Sequence, residues 1–127
     1  MSHFREYVCI VCPNGCPLKA ELSGGTPEEL LSVKGNLCPR GITWVRQEIE
    51  NPMRTISTSV LVKGGDLPLV SVRTADPVPL KSVIAVREAL RGVVLEAPLH
   101  VGDVVMSDPA GCHSRIIVTR NIARKEA

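Results

Sequence analysis

Cys9-Ile10-Val11-Cys12-Pro13-Asn14-Gly15-Cys16 places three thiols within eight residues, and Leu37-Cys38-Pro39-Arg40-Gly41 supplies a fourth. The spacing is C-x2-C-x3-C-x21-C. Four thiolates are enough to hold one metal centre, and a Cys-Pro that closes the set is more typical of an iron–sulfur cluster than of zinc. A [4Fe–4S] cube takes its ligands from the corners of a tetrahedron, so one tight loop gives three and a distant segment gives the last. Cys9, Cys12 and Cys16 are the expected loop ligands, and Cys38 is the expected remote one. Pro13 fixes φ while Asn14 and Gly15 tolerate positive φ, so this loop can curl its thiols around a common point. Gly15 and Gly35 are expected to permit close backbone approach. Lys34 and Arg40 lie near Cys38 in sequence and are candidates to offset the charge of four thiolates.

The flanking segments are consistent with that closure. Residues 5–12 begin as an extended segment. Leu18, Ala20 and Leu22 alternate with Lys19 and Glu21, the period of a half-buried strand. Ser23-Gly24-Gly25-Thr26-Pro27 is a turn, and Glu28–Val33 returns, bringing Cys38 back to the first three cysteines. A short helix opens at Gly41. Ile42, Val45 and Ile49 form its apolar stripe, and Asn51-Pro52 ends it. Trp44, beside that stripe, is expected to pack against the cysteine loop.

From Thr55 the pattern changes. Two β-branched runs around Gly64-Gly65-Asp66 predict a hairpin. Leu80–Arg91 predicts a second helix, with Val83, Val86 and Leu90 on one face and Gly92 as its stop. Val93–Glu96, Val101–Met106 and Arg115–Thr119 read as further strands. The expected fold is therefore α+β: a small cysteine-rich metal-binding segment over residues 1–54, then a mainly β half with one helix over residues 55–127, which docks a partner.

Composition narrows the function classes. The chain has 127 residues, is 44% hydrophobic and carries a formal net charge of +2. Phe4, Tyr7 and Trp44 are its only aromatic residues. With neither stacking residues nor a long basic run, nucleic acid is not expected as a partner. The tail Arg115–Lys125 reads as a strand with a solvated end. No apolar run approaches the roughly 20 residues of a membrane span, and the polar start Met1–Glu6 does not resemble a signal peptide. The expectation is a cytoplasmic protein, where a dense cysteine set points to metal or redox chemistry rather than disulfides. The odd count of five cysteines agrees.

Two alternatives to the cluster stand beside it. A structural zinc site normally uses two C-x2–4-C knuckles, and here the far half offers Cys38 alone, with His3 a distant candidate. Zinc would only staple residues 9–54 and leave a non-redox interaction module. Cys9 and Cys12 also form a C-x-x-C pair, which suits thiol redox chemistry, though a thioredoxin-like βαβ context is absent.

Other residues carry less. Cys112-His113 reads as a loop or buried free thiol. His100 sits in a turn, and Ser57, Thr58 and Ser59 fit a polar strand face without an activating base. Asp76 and Asp103 suit turns. No phosphate-loop or dinucleotide pattern is present. No catalytic residue is assigned.

Residues 9–54 resemble the N-terminal iron–sulfur segment of the molybdenum/tungsten bis-pterin oxidoreductases. The shared elements are Cys9-x-x-Cys12-Pro13-Asn14-Gly15-Cys16-Pro17-Leu18, Val33-Lys34-Gly35-Asn36, Leu37-Cys38-Pro39-Arg40-Gly41 and Asn51-Pro52-Met53-Arg54. That resemblance implies a [4Fe–4S] cluster on the four cysteines, with Arg40 on its pterin side. Only 73 residues follow Arg54, so a pterin held by this chain alone is not expected. Over nearly its full length the chain is similar to a family of small standalone CxxC proteins, a domain-of-unknown-function family (DUF1667-like). The motifs include Gly64-Gly65, Val72-Arg73-Thr74, Ala97-Pro98-Leu99, Gly102-Asp103-Val104-Val105 and Val118-Thr119-Arg120. This resemblance implies an electron-transfer or assembly subunit whose partner is an FAD-dependent dehydrogenase, such as a glycerol-3-phosphate dehydrogenase-like enzyme, or an NAD(P)/FAD oxidoreductase subunit.

Overall fold

A computed structural model describes residues 2–126 as an α+β chain of two compact units, Met1–Pro52 and Met53–Ala127.

The first unit is a three-stranded antiparallel meander with one helix. Its elements are β1 (His3–Val8), β2 (Pro17–Leu22), β3 (Leu30–Lys34) and α1 (Pro39–Glu50). The β1–β2 register runs from His3↔Leu22 to Val8↔Pro17, and that of β2–β3 from Lys19↔Lys34 to Leu22↔Leu30. The alternation in β2 takes effect as expected: Leu18, Ala20 and Leu22 are buried while Pro17 and Lys19 face outward. They share a core with Val45 of α1 and the Cys9 and Cys16 side chains, flanked by Tyr7, Leu30, Val33, Trp44 and Ile49. Tyr7 and Trp44 meet edge-on, with ring centroids 6.1 Å apart and planes at 87°.

Helix α1 starts at Pro39, two residues earlier than Gly41. Cys38 is its extended N-cap, and Pro39 takes the first helical position, where a missing N–H costs nothing. The helix ends at Asn51, before Pro52, as the pre-proline restriction requires.

The second unit contains β4 (Met53–Arg54), β5 (Ser57–Lys63), β6 (Leu69–Thr74), β7 (Val78–Pro79), α2 (Val83–Ala89), β8 (Val94–Glu96), β9 (Val104–Ser107) and β10 (Arg115–Val118). Five strands form one sheet in the order β8-β5-β6-β10-β9. β5 and β6 are the expected hairpin, and β8 joins the other side of β5 in parallel. Met53 and Arg54 pair with Val78 and Pro79 as a separate two-stranded ladder. The second helix is shorter than Leu80–Arg91, because Leu80–Ser82 is a 3-10 turn leading into α2. The core is aliphatic, with Val60, Val70, Val72, Val86, Ile116 and Val118 at its centre. The tail is a strand with a largely exposed end, as expected, except at one residue. Ile122 is buried and bridges to Leu99, while Arg124 bridges to Gly65.

Among the described residues no helix is long and apolar enough to cross a membrane.

Candidate functional site

The β1–β2 connection is the three-cysteine loop. After the last strand pair, Val8↔Pro17, the Cys9 N–H donates to the Cys16 carbonyl at 2.9 Å and closes the loop at its base. Pro13 and Asn14 make the turn, and Gly15 follows at φ +59°, the left-handed region its missing side chain allows. β3 runs antiparallel to β2, so Lys34 ends beside Lys19, at the same end of the sheet as this loop. The chain then passes Gly35 and reaches Cys38.

Gly35 fixes how closely the two arms approach. Its φ is +96°, and a Cβ there would lie 2.2 Å from the Pro17 carbonyl oxygen. No other residue type fits without moving backbone. Gly15 has no comparable crowding, so its role is conformational. Asn36 steadies the second arm: its Nδ2 donates to the Cys38 carbonyl at 3.1 Å.

Cys9, Cys12, Cys16 and Cys38 all line one cavity of ≈ 110 Å³, together with Arg40 and Gly41. A single water needs roughly 10–15 Å³, so the space is large enough for a group bigger than one ion. The four thiols are free, with Cys9 and Cys16 buried at 6% and 8% exposure and Cys12 and Cys38 half-buried. Among the described residues no three or more His, Cys, Asp or Glu side chains form a group placed to hold a metal ion.

Electrostatics favour negative charge here. The Arg40 side chain hydrogen-bonds to the Cys38 sulfur, and this is the main cause of a thiol pKa below the ordinary value. The backbone N–H groups of Arg40 and Gly41, in the first turn of α1, act in the same direction. The same Cys38 contact, with the nearby charges of Cys38, Cys12 and Cys9, raises the pKa of Arg40. That first turn has no acidic residue. Lys34, the other basic candidate, is exposed on β3 and does not line the cavity.

The remaining candidates lie elsewhere. His3 sits at the far end of β1, its Nε2 3.1 Å from Glu28. His100 is exposed beside Asp103, whose carboxylate accepts the His100 N–H at 2.8 Å in a turn. Cys112 is half-buried against the core of the second unit, and its thiol makes a weak contact with the Ala110 carbonyl. Ser57 and Ser59 face the pairing positions of Arg73 and Ser71 on β6, as ordinary strand residues.

Two features escaped the sequence reading. The loop tips are apolar and exposed: Ile10 is 73% and Leu37 79% accessible. A second depression, of ≈ 460 Å³, lies alongside and is lined by Val11, Pro39, Arg40, Thr43, Trp44 and Gln47. The signal was available in composition, since of residues 8–16 and 36–44 only Arg40 is charged.

Comparison with known proteins bears mainly on the second unit. No curated protein matches the chain. The NMR structure of the Clostridium perfringens protein CPE0013 is similar, at 22% identity and a TM-score of 0.50, over 61% of this chain and 89% of that one. The likeness is one of fold. Residues 39–120 match the family described as "Protein of unknown function (DUF1667)". The match includes Arg40, α1 and strands β4 to β10, and begins one residue after Cys38. The chain belongs to the DUF1667 family.

Proposed function

We propose that Cys9, Cys12, Cys16 and Cys38 hold a [4Fe–4S] cluster and that the chain is the electron-transfer subunit of a flavin-dependent oxidoreductase complex. The observation that carries this is the common cavity: two arms far apart in sequence bring all four thiols and one cation to its wall. Soft thiolate donors suit iron–sulfur chemistry, and the cavity exceeds the needs of a single ion. When bound, such a cluster accepts and passes on single electrons. The chain's own residues supply the rest. Arg40 and the first turn of α1 favour the thiolate form of Cys38. Burial of Cys9 and Cys16 shields that side of the cavity from solvent. Gly35 sets the separation of the two arms. The resemblance to small CxxC proteins supports a partner that is an FAD-dependent dehydrogenase or an NAD(P)/FAD oxidoreductase subunit.

Anaerobic reconstitution with iron and sulfide tests the reading. The expected product is brown, with about four iron and four sulfide per chain. A colourless protein that takes up one zinc and no iron would replace the cluster with a structural staple.

A further inference from the structure

The segment that delivers Cys38 has little packing of its own. Leu37 is exposed, and Cys38 stands in extended backbone ahead of α1, at φ −150° and ψ 163°. What holds the segment is one contact on each side. On one side Gly35 abuts the Pro17 carbonyl. On the other, the half-buried Asn36 reaches past Leu37 and donates its Nδ2 to the Cys38 carbonyl. That same carbonyl accepts the Gly41 N–H at 3.3 Å, where the helix begins.

Gly41 leaves room for this arrangement. It is buried, and a Cβ on it would lie 3.2 Å from the Asn36 Cβ, tighter than such contacts normally are. The Leu18 methyl groups would be at an ordinary 3.6 and 3.7 Å. Gly41 does not have a positive φ, so space and not conformation calls for glycine here. The missing side chain is therefore matched to Asn36. Asn36 and Gly41 both also line the thiol cavity.

We propose that Asn36, seated against Gly41, is a positioning residue for the metal centre. It sets where the Cys38 sulfur meets the three-cysteine loop, and so how firmly the centre is held. The identity of that centre rests on the cluster reading above. Hydrogen-bond partners that orient metal ligands typically carry about 10–100-fold of metal affinity. Mere support of α1 makes the opposite prediction at one position. Alanine favours a helix over glycine by about 1 kcal/mol, so Gly41→Ala would then hold metal at least as well as wild type. If the seat of Asn36 matters, the added methyl displaces it and metal leaves faster.

The test is the rate at which a chelator strips iron from the reconstituted full chain. Asn36→Ala removes both the donor and the packing. Asn36→Asp keeps the size and removes only the donor, so it serves where the alanine variant fails to fold. Both are expected to lose iron about 10–100-fold faster than wild type. Gly41→Ala is expected to lose it faster as well. The electron paramagnetic resonance spectrum of the reduced cluster, taken before any loss, should change in the Asn36 variants, because it reads the placement of the fourth sulfur. The proposal is overturned if both Asn36 variants release iron at the wild-type rate, or if Gly41→Ala holds it longer than wild type. Faster release with an unchanged spectrum also overturns it, since that is plain loss of fold stability. A wild-type chain that takes up zinc and no iron fails the cluster reading alone, and zinc release from the same three variants then judges Asn36.

Discussion

The two units differ in what fills their cores. The apolar core of the second holds eleven buried residues, all aliphatic, on a five-stranded sheet and one helix, with Thr74 and Ser114 buried beside it. The first buries six, and two of those are cysteines that also line the cavity. Each well-buried aliphatic side chain contributes about 1.5–3 kcal/mol, so the second core has the larger hydrophobic stabilisation of the two. Units as small as the first usually need a disulfide, a metal or a partner. The contrast teaches that in Met1–Pro52 site and core are partly the same atoms. Filling the site should therefore stabilise that unit, because a ligand that binds only the folded form shifts the equilibrium toward it.

The largest expected effect follows from this overlap. Cys9→Ser should reduce iron from about four per chain to near zero. It should also strip amide protection from residues 2–52, while protection of β5, β6 and β10 persists. Loss of protection in both units alike would break the distinction between them.

Ile116→Ala probes the other side. Ile116 is fully buried at the centre of the second core, and its truncation should cost about 2–5 kcal/mol. A denaturant melt should report that loss, with the iron content unchanged. Gly35→Ala should cost the first unit about 2–3 kcal/mol, because the new Cβ meets the Pro17 carbonyl at a positive φ. The same melt, with and without cluster, measures it.

The smallest effect is electrostatic. In metal-free protein the Cys38 thiolate should persist to lower pH than an ordinary thiol's, because Arg40 and the start of α1 favour the charged form. Arg40→Gln removes the main cause, so the midpoint of Cys38 alkylation against pH should move upward. An unmoved midpoint would remove Arg40 from this role.

Much of this was legible along the chain. The alternation of Leu18, Ala20 and Leu22 marked β2, and the run around Gly64-Gly65 marked the β5–β6 hairpin, because both are local signals. The cysteine spacing marked which residues line the cavity. What escaped was non-local. β8 pairs in parallel with β5 across more than thirty residues of chain, and no periodicity within either strand encodes that choice. Ile122 looked like one apolar residue in a charged tail, and its burial depends on Leu99. Helix α1 begins at Pro39, ahead of Gly41, because proline is favoured at a helix's first position and the Cys-Pro pair there also belongs to the cysteine motif. At the site itself, Gly35 was expected to allow close approach, but the atom it approaches, the Pro17 oxygen, needed the register of β2 with β3. Lys34 and Arg40 looked equivalent in sequence, and the strand and the helix separate them.

The central claim is that these four thiols, and not Cys112, hold the metal centre. Alkylation footprinting of the reconstituted protein tests it directly. With the cluster in place, Cys112 should be the only cysteine that reacts, and after chelation all five should. Alkylation of Cys9, Cys12, Cys16 or Cys38 while the iron stays bound would contradict the account.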